Sequence, residues 1–172
     1  PDELETGPAP GQWREERIAR RAADNLFDET LVAISGHPDD WRVLDQAILL
    51  VQRENGRLRG IYVADPKDAE SEVAIEPIRE AFNQRTAEAG VPTNFSIEWG
   101  AVARQVVARA AYSDLVMLAL NRPPGLSILG RLASGLQTIL KRTPRPVMVV
   151  PTAASPLQHA LLAYDGSPKA EE

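Results

Sequence analysis

The apolar run "LVAIS" is followed at once by "GHPDD", which sets one imidazole and two carboxylates within four positions, at His37, Asp39 and Asp40. Such a set could hold a divalent metal through His37 and one Asp while the other Asp takes a proton from water. That chemistry needs at least three protein ligands and an open water position. The chain contains only one other histidine, His159, and no cysteine. A histidine-only metal centre is therefore excluded, as are disulfides, thiol catalysis and cysteine-based zinc or iron–sulfur sites. The same residues also have a structural use. His37 fits a turn, and Asp39 or Asp40 can cap the next helix and complement its dipole. A second candidate lies far downstream in "NRPPGLSILGRLASG", where Arg122, Arg131 and Ser134 could meet an anion beside Gly125 and Gly135. The plainer reading of both arginines is solvated surface charge. Pro123 and Pro124 also remove two N–H donors from that loop.

Both candidates stand at the ends of strand-like runs. From Leu31 a regular alternation begins. "LVAIS" reads as a strand, then Trp41, Leu44, Ile48 and Val51 recur at helical spacing, with Trp41 fitting as a core residue. "LRGIYVA" is the second strand, followed by a helix carrying Ile75, Ile78 and Phe82. "TNFSIEW" is the third, followed by a helix with Val102, Val106 and Ala110 inward. "DLVMLAL" is uniformly apolar, as a strand covered on both faces should be. A helix from about Ser127 to Arg142 leads to the fifth strand, "PVMVV". Strands alternating with helices of this length predict an α/β domain of three layers, α/β/α, with a mostly parallel five-stranded sheet. Ligands of such sheets settle beyond the carboxyl ends of the strands, where the strand order reverses. That places the "SGHPDD" and "NRPPG" loops at the candidate site.

Residues 1–10 read as a linker, and "GQWREERIARRAADNLF" as a solvated connecting helix with a Glu16–Arg20 pair. Residues 1–28 thus form an N-terminal extension, 29–152 the domain, and 153–172 a linker, "TAASPLQ", with the first strand of a second repeat, "HALLAYDG". The repeat is visible without a gap at an offset of 130 residues: Leu31, Ala33, Gly36 and Pro38 match Leu161, Ala163, Gly166 and Pro168. The first residue is Pro, so the expectation is a piece of a longer product. A net charge of −5 and a pI near 5.2 recommend no nucleic-acid or anionic-membrane partner. No apolar run approaches the ~20 residues that span a bilayer, so direct membrane insertion is not expected and a cytoplasmic location is.

Three resemblances bear on function. "GHPDD" resembles the metal-holding stretch of zinc-dependent sugar-amide deacetylases, without the downstream His pair of that family. "SGxxD" resembles, more weakly, the pyrophosphate-binding loop of adenylating ATP pyrophosphatases. His37 stands where that loop has its second glycine, and Asp40 would place negative charge beside a polyanion. The third resemblance covers the whole unit from about Thr30 to Pro151, which is similar to the universal stress protein family. "SDLVMLAL", "LQTILKRTPRPVMVVP" and the Asp-Gly-Ser turn of "YDGSPKAEE" carry it. It implies an adenine-nucleotide alpha hydrolase-like fold with strand order 3-2-1-4-5, in a tandem member whose second domain begins near the chain's end.

Family members that bind ATP carry glycine-x2-glycine-x9-glycine-Ser/Thr after the fourth strand and an Asp closing the first. Here Ala119 and Arg122, or Leu120 and Pro123 in the other register, replace the first two glycines, Ala133 replaces the third, and Ser35 replaces the Asp. Asp165 fills that slot in the second copy. The resemblance thus implies a degenerate nucleotide or anion site of Ser35, Val63 (whose backbone would face an adenine), Arg122, Gly125, Ser134 and Gly135. It implies a non-catalytic stress-response binding domain with no cofactor, acting as a homodimer or packed against its tandem partner. The alternatives are an ATP-binding, slowly hydrolysing stress protein, with ATP as cofactor, and the zinc deacetylase.

Overall fold

Strands that are apolar throughout need cover on both faces, and the computed structural model supplies it. It describes residues 26–67, 73–119, 129–151, 153–159 and 161, with 129–134 described by backbone alone. Five strands alternate with four helices: β1 (Glu29–Ala33), α1 (Pro38–Glu54), β2 (Arg57–Ala64), α2 (Ile75–Glu88), β3 (Thr93–Trp99), α3 (Val102–Ala110), β4 (Leu115–Ala119), α4 (Leu129–Arg142) and β5 (Val147–Val150). Every neighbouring pair is parallel, as the alternating pattern predicted, and the order is β3-β2-β1-β4-β5, as the family resemblance implied.

The chain winds from β1 outward to β3, then returns across β1 to β4 and continues to β5. Crossovers of constant hand put helices of opposite travel on opposite faces of a sheet. Accordingly α1 and α2 cover one face, where Val32, Leu58, Met117, Leu44, Val51 and Phe82 form the larger core. The other face buries Leu31, Ile61 and Val116 against Val106 and Ala110 of α3 and Ile139 of α4. Strand residues alternate between these two clusters, which is why β1 reads apolar at consecutive positions.

Four expectations need correction or completion. Val102 is 53% exposed, whereas Val106 and Ala110 are fully buried. The inward stripe of α3 runs through Ala103, Val106, Val107 and Ala110, and Val102 is its first residue, one helical step off that stripe. Trp41 sits half-buried at the rim of the larger core, its ring 4.9 Å from the Arg85 guanidinium. The predicted helix at 11–27 lies outside the described residues except for Leu26 and Phe27, which are not helical. Of the predicted sixth strand only His159 and Leu161 are described; neither is in a strand, and Leu161 is 97% exposed.

Thr30, on β1, is wholly buried, and its hydroxyl has no hydrogen-bond partner among the described residues. A buried hydroxyl without a partner costs about 1–3 kcal/mol. Thr30→Val keeps the β-branched shape and removes that cost. It is expected to raise stability by about 1–2 kcal/mol, read as a higher urea midpoint at unchanged slope. An unchanged or lower midpoint would show that the hydroxyl is satisfied.

Candidate functional site

Pairing of β1 with β4 runs from Thr30–Leu115 to Val32–Met117 and stops there. On its other side β1 stays paired with β2 one residue longer, through Ala33–Ile61, and Ile34 N–H then donates to the Ile61 carbonyl at 2.9 Å. The carboxyl ends of β1 and β4 therefore part. The chain leaves β1 toward one face of the sheet and reaches β4 from the other, so this is the point of strand-order reversal.

The β1–α1 loop lining this crevice is built around one carboxylate. Gly36 has φ +89°, a conformation that disfavours any side chain, and a Cβ placed there would lie 2.8 Å from Ile78 Cδ1. That turn brings His37 to the helix N-cap, with Pro38 in the first turn, where a missing N–H costs nothing. The sequence pointed to Asp39 or Asp40 as the cap, but the cap is His37, whose Nδ1 accepts the Asp39 N–H at 3.3 Å. Asp40 stands three residues on and closes a capping box. Its Oδ2 accepts from Ser35 N–H at 2.7 Å, from the Ser35 hydroxyl at 2.6 Å and from His37 N–H at 3.2 Å. Asp40 is 4% exposed. Asp39 is paired with Arg42 at 2.8 Å and lies 3.4 Å from His37 Nδ1.

These partners decide what the loop can do chemically. The Asp40 carboxylate is spent on its own chain. The Ser35 and His37 N–H groups, which would otherwise face an anion at a helix start, already donate to it. The described residues contain no group of three or more His, Cys, Asp or Glu placed to hold a metal. His159 is exposed. The "HPDD" stretch thus closes a helix terminus.

The other site residues divide. Ser35 is exposed at the crevice. Val63 is half-buried near the carboxyl end of β2, with its side chain on the α3–α4 face. Arg122 and Gly125 lie outside the described residues, and of Arg131 and Ser134 only the backbone is described. Ser134 and Gly135 fall inside α4, five and six residues past Leu129, where N–H groups are used within the helix. Space beside Gly135 is open: a Cβ built there meets nothing within 4 Å. Sequence reasoning missed Asp40 as the hub of the loop. The three-residue spacing from His37 to Asp40 was the available signal, since it is that of a capping box.

The Universal stress protein family model matches residues 27–151. No match was found among curated proteins. Among solved structures, a universal stress protein in complex with cAMP superposes with a TM-score of 0.61 at 20% identity, over 73% of this chain and 97% of its own. A universal stress protein from Archaeoglobus fulgidus in complex with dAMP gives 0.58 at 11% identity, over 72% and 98%. Another, from Archaeoglobus fulgidus DSM 4304, gives 0.58 at 22% identity, over 74% of this chain but 45% of its own. At these identities the likeness is one of fold.

Proposed function

The chain belongs to the universal stress protein family, and from that premise we propose that it is a non-catalytic regulatory and binding domain whose nucleotide site has lost its grip on phosphate. The observation that carries this reading is the engagement of the β1–α1 loop by Asp40, which accepts from the N–H groups of Ser35 and His37 and from the Ser35 hydroxyl. A carboxylate fixed in that turn repels an approaching polyanion and occupies three of the donors it would use. The loop after β4 supports the same conclusion from sequence, with Pro123 and Pro124 in place of donors and no glycine at Ala133. Ser35, Val63, Arg122, Gly125, Ser134 and Gly135 are the remnant of the site. Two structural relatives were solved with cAMP and with dAMP, so the crevice is where a nucleotide would be sought.

Titration calorimetry of the purified chain with Mg-ATP, and with ADP, AMP and cAMP, tests this. The expected result is no saturable heat up to about millimolar nucleotide, that is, binding weaker than about 4 kcal/mol. Saturation at micromolar levels with any of the four would overturn it.

The domain of this proposal spans 29–152 and works by contact with another folded unit, either a second copy or a tandem repeat. β5 supports such contact. It is a sheet edge carrying Val147, Met148 and Val149, all half-buried, and an apolar edge strand is a template for pairing. Met148→Lys is expected to abolish self-association of this chain in light scattering. Association that survives the change would place the contact elsewhere. Among the described residues no helix is long and apolar enough to cross a membrane.

A further inference from the structure

β5 ends at Val150, at the same carboxyl end of the sheet as the crevice. A chain continuing in that direction would emerge over the crevice. Residues 153–155 instead come back to the middle of α1, where the side chain of Gln46 meets them. Gln46 is 3% exposed, and both ends of its amide are used by one residue 109 positions away. Its Nε2 donates to the Ser155 carbonyl at 3.0 Å, and its Oε1 accepts the Ser155 N–H at 2.6 Å.

This is the pattern by which one strand residue pairs with another, made here by a side chain. It reads backbone and is indifferent to the side chain at 155. Ser155 suits it, because a residue before proline is held extended, and Pro156 follows. The segment then turns at Leu157, which has φ +52° and donates its N–H to Ser155 Oγ at 3.4 Å. A left-handed leucine is an uncommon conformation that needs its surroundings to hold it. A buried glutamine on a helix is likewise costly unless both ends of its amide are met. The Gln46 amide is met by Ser155, whereas of 153–159 only Ala154 is half-buried and Leu157 is 41% exposed.

Beside Gln46 lies a cleft of about 470 Å³ between α1 and α2, lined by Asp45, Ile48, Leu49, Arg85 and Ala89, with Ala154 of the segment itself at its rim. Arg85 pairs with Asp45 at 3.4 Å across it. Leu49 is 45% exposed there.

We propose that Gln46 is a backbone-reading clamp on α1 whose occupant is the chain's own Ser155, which holds Ala154 at the rim of the α1–α2 groove. It makes Ala154 and Ser155 part of the domain, where the sequence read "TAASPLQ" as a linker. The assignment does not depend on whether the crevice binds nucleotide.

Amide exchange of Ser155, followed by NMR on the full chain, tests it. In the native chain that amide should exchange at least about tenfold more slowly than an open peptide. Gln46→Leu should remove the protection while the amides of α1 keep theirs. Ser155→Ala should retain it, because the bonds are to backbone. Should Gln46→Leu fail to fold, Gln46→Glu serves as the second variant. It keeps the acceptor for the Ser155 N–H and loses the donor to the carbonyl, so partial protection is expected. An unprotected Ser155 in the native chain, or full protection in Gln46→Leu, overturns the proposal. Protection that appears only in a concentration-dependent dimer overturns the intramolecular occupant and assigns the clamp to a second copy's Ser155.

Discussion

Asp40→Ala is expected to destabilise the domain by about 2–4 kcal/mol, a large part of the roughly 5–15 kcal/mol that holds a domain of this size together. Three donors converge on one buried oxygen, and each loses a charged acceptor when it goes. Ser35 is exposed and can recover water, so its share is smaller than the full desolvation cost; the His37 N–H belongs to the helix cap and loses the capping box. Asp40→Asn keeps an acceptor oxygen but no charge and should cost about half as much. His37→Ala should cost no more than about 1 kcal/mol, because the ring is exposed and its one backbone bond is long, at 3.3 Å. Urea unfolding of the three variants is the measurement. If His37→Ala proved the most damaging, the imidazole would have a role that the cap does not explain. If Asp40→Ala were neutral, the carboxylate would be free for ligands and the functional reading above would fall with it.

Phe82→Ala is expected to have the larger effect, about 3–5 kcal/mol. Phe82 is the largest fully buried side chain among the described residues. Its ring lies across β2 and meets Phe95 of β3 at a centroid distance of 4.8 Å, tilted by 44°. The space for it is made by Gly60, at which a Cβ would stand 2.5 Å from Phe95 Cδ2 and 2.8 Å from Phe82 Cε2. Gly60→Ala should therefore cost about 1–3 kcal/mol by overpacking, despite alanine's better strand propensity. Combining Gly60→Ala with Phe82→Leu should cost less than the sum of the two, by about 1 kcal/mol, because the smaller side chain vacates the space that the new methyl needs. Strict additivity in that cycle would show that the glycine and the ring are not in contact.

The nature of Gly60 also shows where reading the sequence stops. "LRGIYVA" announces a strand, but a glycine within it gives no hint that the partner is an aromatic ring on a helix 22 residues away. The strands, their parallel pairing and the two-faced core followed from local pattern, because apolar runs and helical spacing are properties of consecutive residues, while their order followed from the family resemblance. Even there, the phase of a short helix was lost at its first turn, where Val102 faces solvent.

The site was legible to a different depth. Its place was set by the sequence, since an alternating α/β chain puts its loops at a strand-order reversal wherever the fold forms. The absence of phosphate-binding glycines could also be read directly from "NRPPGLSILGRLASG". What the histidine and two carboxylates of "GHPDD" do could not. A metal site, a phosphate loop and a helix cap use the same residue types at the same spacing, and only the direction of each side chain separates them. The fold decided it by turning Asp40 inward onto Ser35 and His37. The Gln46–Ser155 pairing was further out of reach, because residues 109 positions apart share no local signal. By itself the sequence determined that this protein is a parallel α/β domain, since periodicity and residue type act locally. Only the tertiary structure decided which polar groups are already taken, because a hydrogen bond depends on where two distant parts of the chain meet.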